Sequence, residues 1–430
     1  LLGKRSLRMA DFVRLVAGII LGLFVCERPL GAEDVITIGV ATSLASLEGS
    51  ESAQAAGLAV EEINRTGGVR IAGRRLPLQL AKIDLADADP GTSKAESLAT
   101  LARFIETQNL KAIVVGPFRS EVLLPAMDLI AAHRILLLET IAMTPATEIM
   151  VLRDPRYRFA FRTGLNTKYL ADALIQIMQF LHGRFGFTRV AIMSQDVAWA
   201  RSTAAILIKL YFERKGWQMV GADHFKSGTS DFSSALEKAR SGQAQVIVPI
   251  FDMPQSAILA KQWKTMQIPA MLCGFISPMV GPAAWQAFSG QIAGTLNLVF
   301  ELGNVPAKRY PKAGAFYEAY ALRYGRPIEA GHGPAPAYEA VYLLADAIAR
   351  SASLDPEKIV TALEASDRVG VMGRLRFQKG HQIVFGSDPA TEAVACLIQW
   401  TRDGERRIVY PPSLAEGEIE GPNGGLSEQP

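Results

Sequence analysis

Strand-like and helix-like patterns alternate along this chain from Val35 to Phe275, and that alternation limits its fold more than any other feature. Val35–Val40 is an apolar, β-branched run. A helical pattern follows over Ala53–Arg65, with Ala56, Val60 and Ile63 on one face. Gly67-Gly68 stops it, because glycine accepts the left-handed conformation at a helix end. Leu76–Ile83 is the next strand. Asp89-Pro90 is expected to open the next helix, with Asp as cap, Pro at the first position and Leu98, Leu101, Ala102 and Ile105 as the buried stripe. Lys111–Val115 (strand), Ser120–Ala132 (helix) and Ile135–Glu139 (strand) complete the first series.

The rhythm restarts after a candidate crossover at Val151–Arg158. Strands are expected at Phe159–Thr163, Arg189–Ser194, Trp217–Ala222, Val246–Phe251 and Ala270–Phe275. Helices are expected at Lys168–His182, Ala200–Lys215, Asp231–Arg240 and Gln255–Met266. Such alternation implies parallel sheets with helices on both faces. Two series imply an α/β architecture of two Rossmann-like lobes with parallel-sheet cores, for which 430 residues leave room. The later part is less regular. Gly294–Glu301, Arg374–Phe377, Ala393–Gln399 and Arg407–Val409 read as strands, and Ala313–Tyr324, Ala335–Ala349 and Pro356–Ala365 as helices. Residues 412–430 are rich in Pro, Gly and Glu without periodicity, which predicts a disordered tail.

The net charge of +3 is carried by the first 32 residues, where Lys4, Arg5, Arg8, Arg14 and Arg28 face only Asp11 and Glu27. The remainder is neutral, so there is no electrostatic case for nucleic acid. Residues 1–32 read as a signal peptide: a basic start, an apolar run from Leu15 to Cys26 and a cleavage site at Leu30-Gly31-Ala32. Lipid attachment at Cys26 is the alternative, although Val25 is large for that motif. Cys273 and Cys396 can pair in an oxidising compartment, but two buried free thiols is the preferred expectation.

No Walker A loop, G-x-S-x-G elbow, H-E-x-x-H or early G-x-G-x-x-G occurs. The five histidines lie too far apart in sequence for a helical metal pair. Ser43, Ser120 and Ser194 each follow a strand, but no base is placed near them. The chain therefore reads as non-catalytic, needing no metal or cofactor. In open parallel sheets ligands bind beyond the carboxyl ends of the strands. Those loops are Thr42–Ser52, Gly116–Glu121, Glu139–Thr144, Ser194–Arg201, Phe251–Gln255 and Gly274–Pro278, with Trp199 and Phe251 as apolar surfaces. Helix N-termini after several of them suit a carboxylate.

Across the chain, AVEEINRTGGV at 59–69, Gly73-Arg74-Arg75-Leu76, Asp84, Asp89-Pro90, VVGPFRS at 114–120 and PAT at 145–147 come in a distinctive order. SQDVAWA at 194–200, AYEAVYLLADAI at 337–348, GRLRF at 373–377 and IQW at 398–400 continue it. In these motifs, from Val35 to Pro411, the sequence resembles the leucine/isoleucine/valine-type periplasmic solute-binding proteins of ABC transporters. The resemblance implies a type I periplasmic binding fold, two lobes joined by a three-strand hinge that close on a ligand. It implies a periplasmic location, a small-molecule ligand (an amino acid or related organic solute) and an ABC permease in the inner membrane as partner.

The family's carboxylate-binding loops fall here on Ser120 and on Ala142, Met143 and Thr144, with Met143 where a threonine is usual. Its Tyr-Gly becomes Glu48-Gly49. The tyrosine of its Asp-x-x-Tyr-Gly loop becomes Trp199 after Asp196, and Asp252 stands where an aromatic is common. Glu48, Asp196 and Asp252 are thus expected to anchor an amine and Arg119 to meet an acid. Ser43, Ser120, Ala142, Met143 and Thr144 complete the expected contacts, with Trp199, Phe251 and Phe275 packing. The lobes are expected at 33–157 with 303–366, and at 158–302 with 367–411. A sensor of the same fold and a secreted α/β enzyme are the competing readings.

Overall fold

The computed structural model describes residues 35–421; the signal segment with Cys26, and residues 422–430, lie outside the described residues. The first lobe starts with β1 (Ile36–Thr42), α1 (Leu47–Arg65) and the hairpin β2 (Val69–Ile71) and β3 (Arg74–Leu76). Next come β4 (Leu78–Asp84), α2 (Lys94–Thr107), β5 (Ala112–Val115), α3 (Ser120–His133), β6 (Leu136–Glu139), α4 (Ala146–Arg153) and β7 (Ala160–Arg162). The sheet order is β4-β1-β5-β6-β7, all parallel.

The chain then crosses to the second lobe. There α5 (Thr167–Phe185), β8 (Arg189–Gln195), α6 (Ala198–Ile206), β9 (Gln218–Phe225), α7 (Ser233–Ser241), β10 (Val246–Phe251), α8 (Ala257–Thr265), β11 (Met271–Ile276), α9 (Ala283–Ala287) and β12 (Leu296–Val299) follow. It returns to the first lobe for α10 (Pro311–Tyr324), α11 (Pro334–Ser351) and α12 (Pro356–Glu364). A small sheet comes next, of β13 (Asp367–Gly370), β14 (Gly373–Arg376), β15 (Phe385–Gly386) and β16 (Ala393–Val394). A third crossing delivers β17 (Cys396–Trp400) and β18 (Arg406–Tyr410) to the second sheet. That sheet runs β18-β17-β12-β11-β10-β8-β9, with only the β18-β17 and β17-β12 pairings antiparallel. The three crossings are those of the expected hinge.

Sequence explains the close packing. Ala53, Ala56 and Ala59 line α1, and such small side chains let α11, buried along most of its length, lie directly against it. In the second lobe all of β10 is buried although it carries Pro249, which has no N–H to donate. Its pairing with β11 skips the residues between Ile247 and Ile250. A Cβ on Gly274 would fall 2.3 Å from the Pro249 carbonyl oxygen, so glycine is required opposite the proline. Cys273 and Cys396 are buried and free, on β11 and β17.

Several boundaries differ from the sequence reading. Asp89 opens no helix: its carboxylate accepts from the Gly91 N–H in a turn, and α2 starts at Lys94 behind the reciprocal Ser93–Glu96 cap, whose Ser93 lies four residues beyond Asp89. Residues 160–162, assigned above to the second lobe, complete the first sheet. Residues 367–386 also pack on the first lobe. Glu339 of α11 accepts from the Val371 N–H at 2.5 Å and from Arg368 at 2.8 Å, and Arg162 bridges to Gln382. Residues 412–421 are not a disordered tail. Leu414 and Ile419 are buried, and Gln399 of β17 exchanges hydrogen bonds with the Glu420 backbone at 2.7 and 2.8 Å. No described helix is long and apolar enough to cross a membrane.

Candidate ligand-binding site

The carboxyl ends of the central strands of both sheets face one another, and the residues that follow them meet around a cavity. From the first lobe, α1 begins earlier than its apolar pattern suggests. Ser46 caps it, accepting from the Gly49 N–H at 3.0 Å, which puts Glu48 in the first turn instead of a loop. A Cβ on Gly49 would lie 2.0 Å from the Ser43 carbonyl, so the glycine is what lets this turn close. Arg119 sits at the N-cap of α3, its N–H donated to Asp87 at 2.9 Å. From the second lobe, Trp199 lies in the first turn of α6. Asp252 follows β10, where its N–H and that of Met253 both donate to Gln195 at 3.0 Å.

The cavity is small in this arrangement of the lobes, about 30 Å³. Glu48, Phe118, Arg119, Ser120, Ile141, Met143 and His332 line it from the first lobe, Trp199, Asp252 and Phe275 from the second, and Phe300 from the crossing. Two direct bonds join the lobes beside it. Arg119 Nη1 meets Asp252 Oδ2 at 2.8 Å, an oxygen that also accepts from the Trp199 indole N–H of its own lobe at 3.1 Å. Ser277 Oγ donates to Glu48 Oε1 at 2.5 Å. The apolar wall is continuous: Trp199 meets Phe275 edge-on at 6.1 Å, and Phe275 lies 4.2 Å from Phe300. Burial pushes the Glu48 carboxyl above its ordinary range; the Ser277 hydrogen bond offsets only part of this and Asp252 adds to it.

His332 forms part of the floor. Its Nδ1 lies 2.8 Å from Glu301 and its Nε2 2.7 Å from the Ile141 carbonyl. The carbonyl only accepts, and so does an ionised Glu301, an arrangement that favours hydrogen on both ring nitrogens. Burial alone would lower its pKa, but the Glu301 charge, that carbonyl and Glu48 raise it overall. Glu301, fully buried at the second crossing, also accepts from the Leu165 N–H of the first crossing at 3.2 Å and from Asn304 at 2.9 Å. The loop after β6 is held from beneath. Glu139 accepts three consecutive N–H groups, of Thr140, Ile141 and Ala142, at 2.9–3.0 Å, and Arg162 donates to the carbonyls of Ala142 and Thr144.

Seven of the twelve residues named from sequence line this cavity: Glu48, Arg119, Ser120, Met143, Trp199, Asp252 and Phe275. Five do not. Ser43 is buried in the turn before α1, its carbonyl accepting from Ser46. Ala142 has both backbone groups engaged by Glu139 and Arg162, and Thr144 Oγ1 accepts from the Ala146 N–H. Asp196 is paired with Arg201 on the rim. Phe251 is wholly buried against Phe225 and Phe232 in the second lobe's core. Sequence reasoning missed Phe118, Ile141, Phe300 and His332; of these only Phe118 and Ile141 lay in a loop marked by the strand-end rule. It also left Ser194 without a base, whereas Ser194 Oγ lies 2.6 Å from His224 Nδ1. The two are register partners on β8 and β9 and Ser194 is fully buried, so this is a cross-strand bond. No cluster of metal-ligating side chains occurs among the described residues.

Comparison with known proteins agrees with this architecture. The chain is 26% identical over 356 residues to the leucine-, isoleucine-, valine-, threonine-, and alanine-binding protein of Pseudomonas aeruginosa, covering 81% of this chain and 87% of that one. It is 24% identical over 391 residues to the Leu/Ile/Val-binding protein homolog 8 of Brucella abortus, covering 87% and 89%. An ABC transporter substrate-binding protein from Sphaerobacter thermophilus superposes with a TM-score of 0.71 at 17% identity, over 90% of this chain and 99% of that one. The branched-chain amino acid transporter substrate binding protein LivJ from Streptococcus pneumoniae, in complex with isoleucine, gives 0.69 at 19% identity, over 88% and 100%. The family model described as periplasmic binding protein matches residues 35–388. With two sheets whose strand ends face a shared cavity, this chain belongs to the periplasmic binding protein family.

Proposed function

We propose that this chain is the extracytoplasmic solute-binding component of an ABC importer and captures an amino acid with an apolar side chain between its lobes. The observation that carries the reading is the cavity itself. It offers a guanidinium and a hydroxyl at the N-terminus of α3 (Arg119, Ser120), carboxylates at Glu48 and Asp252, and an aromatic wall between them. A carboxylate suits the first group, an ammonium the second, and an aliphatic or aromatic side chain the wall. The contacts come from both lobes, so ligand favours the closed form, and that form is what a permease reads. The reading is of capture without turnover. Residues 1–32 would direct export.

A thermal-shift screen of the twenty amino acids, their amides and aromatic acids tests this. A ligand at one hundred times its dissociation constant adds about 2.7 kcal/mol to the stability of the folded state. With an unfolding entropy near 0.8 kcal/mol per degree for roughly 390 residues, the midpoint should rise about 3 °C. Release of any product from the hit on prolonged incubation would refute the non-catalytic reading. A flat screen would refute amino-acid capture.

A further inference from the structure

We infer that Glu48 alone reads the ligand's amine, while Asp252 serves to position Arg119; this rests on the reading that the cleft takes an amino acid. The two carboxylates line the same cavity in different electrostatic states. Asp252 is already matched. Its Oδ2 takes both the Arg119 guanidinium at 2.8 Å and the Trp199 N–H at 3.1 Å, so an ammonium there would compete with an internal cation. Glu48 has no such partner. It is 7% exposed, no ion pair reaches it among the described residues, and its one side-chain donor is the neutral Ser277 hydroxyl on Oε1. Among the described residues no other side chain donates to this carboxyl, and the further donor is its own backbone amide. An unpaired carboxyl buried in a cleft either keeps a proton or receives a cation from the ligand.

Arg119, held by Asp252 through Nη1, keeps its remaining N–H groups for an acid group beside Ser120. The ligand's two ends are thereby read by two residues of the first lobe. The second lobe supplies the wall and the clasp.

The groups facing Glu48 are Asp252 from the loop after β10, Arg119 from the start of α3, His332 from the loop before α11 and neutral Ser277. Glu51, one turn along α1, is turned away to the Glu329 and Ala330 amides and Arg326. Burial favours the protonated carboxyl in the free protein, and an arriving ammonium favours the carboxylate. Capture should then release the Glu48 proton to solvent while the ligand keeps its own. Affinity should rise with pH until Glu48 is ionised in the free protein and then level off.

The test compares leucine with 4-methylpentanoate, which is leucine without its amine, on full-chain wild type, E48Q and D252N. Calorimetry in two buffers of different ionisation heat gives affinity and proton release. For wild type the expected preference for leucine is about thirtyfold, with protons released at some pH between about 5 and 8. In E48Q the preference should fall to within about threefold and proton release should vanish. In D252N both ligands should weaken by similar factors, preference intact. The inference is overturned if D252N erases the preference while E48Q keeps it, if E48Q releases as many protons as wild type, or if wild type binds 4-methylpentanoate as well as leucine. If neither compound nor any other amino acid binds wild type, amino-acid capture itself falls, and this assignment with it.

Discussion

Replacing His332 with glutamine removes one charge from a pair sealed at the root of the cleft, and its cost can be worked from the contacts. Glu301 is 0% exposed and His332 5%. Breaking a buried ion pair by deleting one partner costs about 3–5 kcal/mol, because the other charge stays buried. Glu301 would keep the Leu165, Gly333 and Asn304 donors at 3.2, 3.3 and 2.9 Å, which puts the expected loss near the lower end, about 3 kcal/mol. At roughly 0.8 kcal/mol per degree for a cooperative unit of this size, the melting midpoint at pH 6 should drop about 4 °C. The pH dependence gives a second readout. The folded-state pKa of His332 is raised above its unfolded value of 6.5. Its contribution is therefore fully present below the unfolded value and is lost as pH rises through the folded one. Scanning calorimetry of both proteins from pH 6 upward should show the gap narrowing. A midpoint within 1 °C of wild type at pH 6, or a gap that does not shrink with pH, would refute the buried imidazolium.

Two further outcomes follow from the same geometry. Trp199→Ala removes both a wall of the cavity and a donor to Asp252, so ligand affinity should fall at least about thirtyfold, as for a central aromatic anchor. Trp199 is only half-buried, so the ligand-free melting point should move little; a large fall would make Trp199 a folding residue instead. Cys273 and Cys396 are sealed in β11 and β17, the two strands that flank β12 in the second sheet, and burial pushes both thiols far above their ordinary range. Peptide mapping after treatment with a thiol reagent should find both unmodified in the native protein and both modified in denaturant. A disulfide between them would contradict the structure.

The parts of the fold legible in sequence were those written in local periodicity. Val246–Phe251 has strand chemistry and is β10 to the residue; Ala56, Val60 and Ile63 do form a buried face of α1. Boundaries set by capping were misread where two signals competed. Asp89-Pro90 looks like a helix start, but the reciprocal bonds of Ser93 and Glu96 lie downstream and win. At α1, Ser46 was overlooked because the apolar stripe begins later, and so Glu48 was taken for a loop residue. The site was legible as far as the strand-end rule reaches, which explains Arg119, Ser120, Trp199 and Asp252. His332 and Phe300 come from the chain's return to the first lobe, and no local pattern marks which residues a crossing carries into a cleft. Phe251 failed for a different reason. The last residue of a strand points either to the cleft or to the helices behind, and apolarity cannot tell which.

The order of visits to the two lobes also bears on when the chain can fold. The first sheet is complete by Arg162, yet the α11 surface that covers α1 arrives only at Pro334–Ser351. The second sheet lacks β17 and β18 until Tyr410 has been made. Neither lobe exists as a contiguous stretch, so an unfinished polypeptide has exposed sheet faces and no stable resting place. If the chain is exported as proposed, such lateness is useful: it would stay open and threadable until its last strands are supplied, and both halves would then become stable together. Expressing either lobe from one continuous gene fragment should accordingly yield insoluble material, whatever the quality of its core.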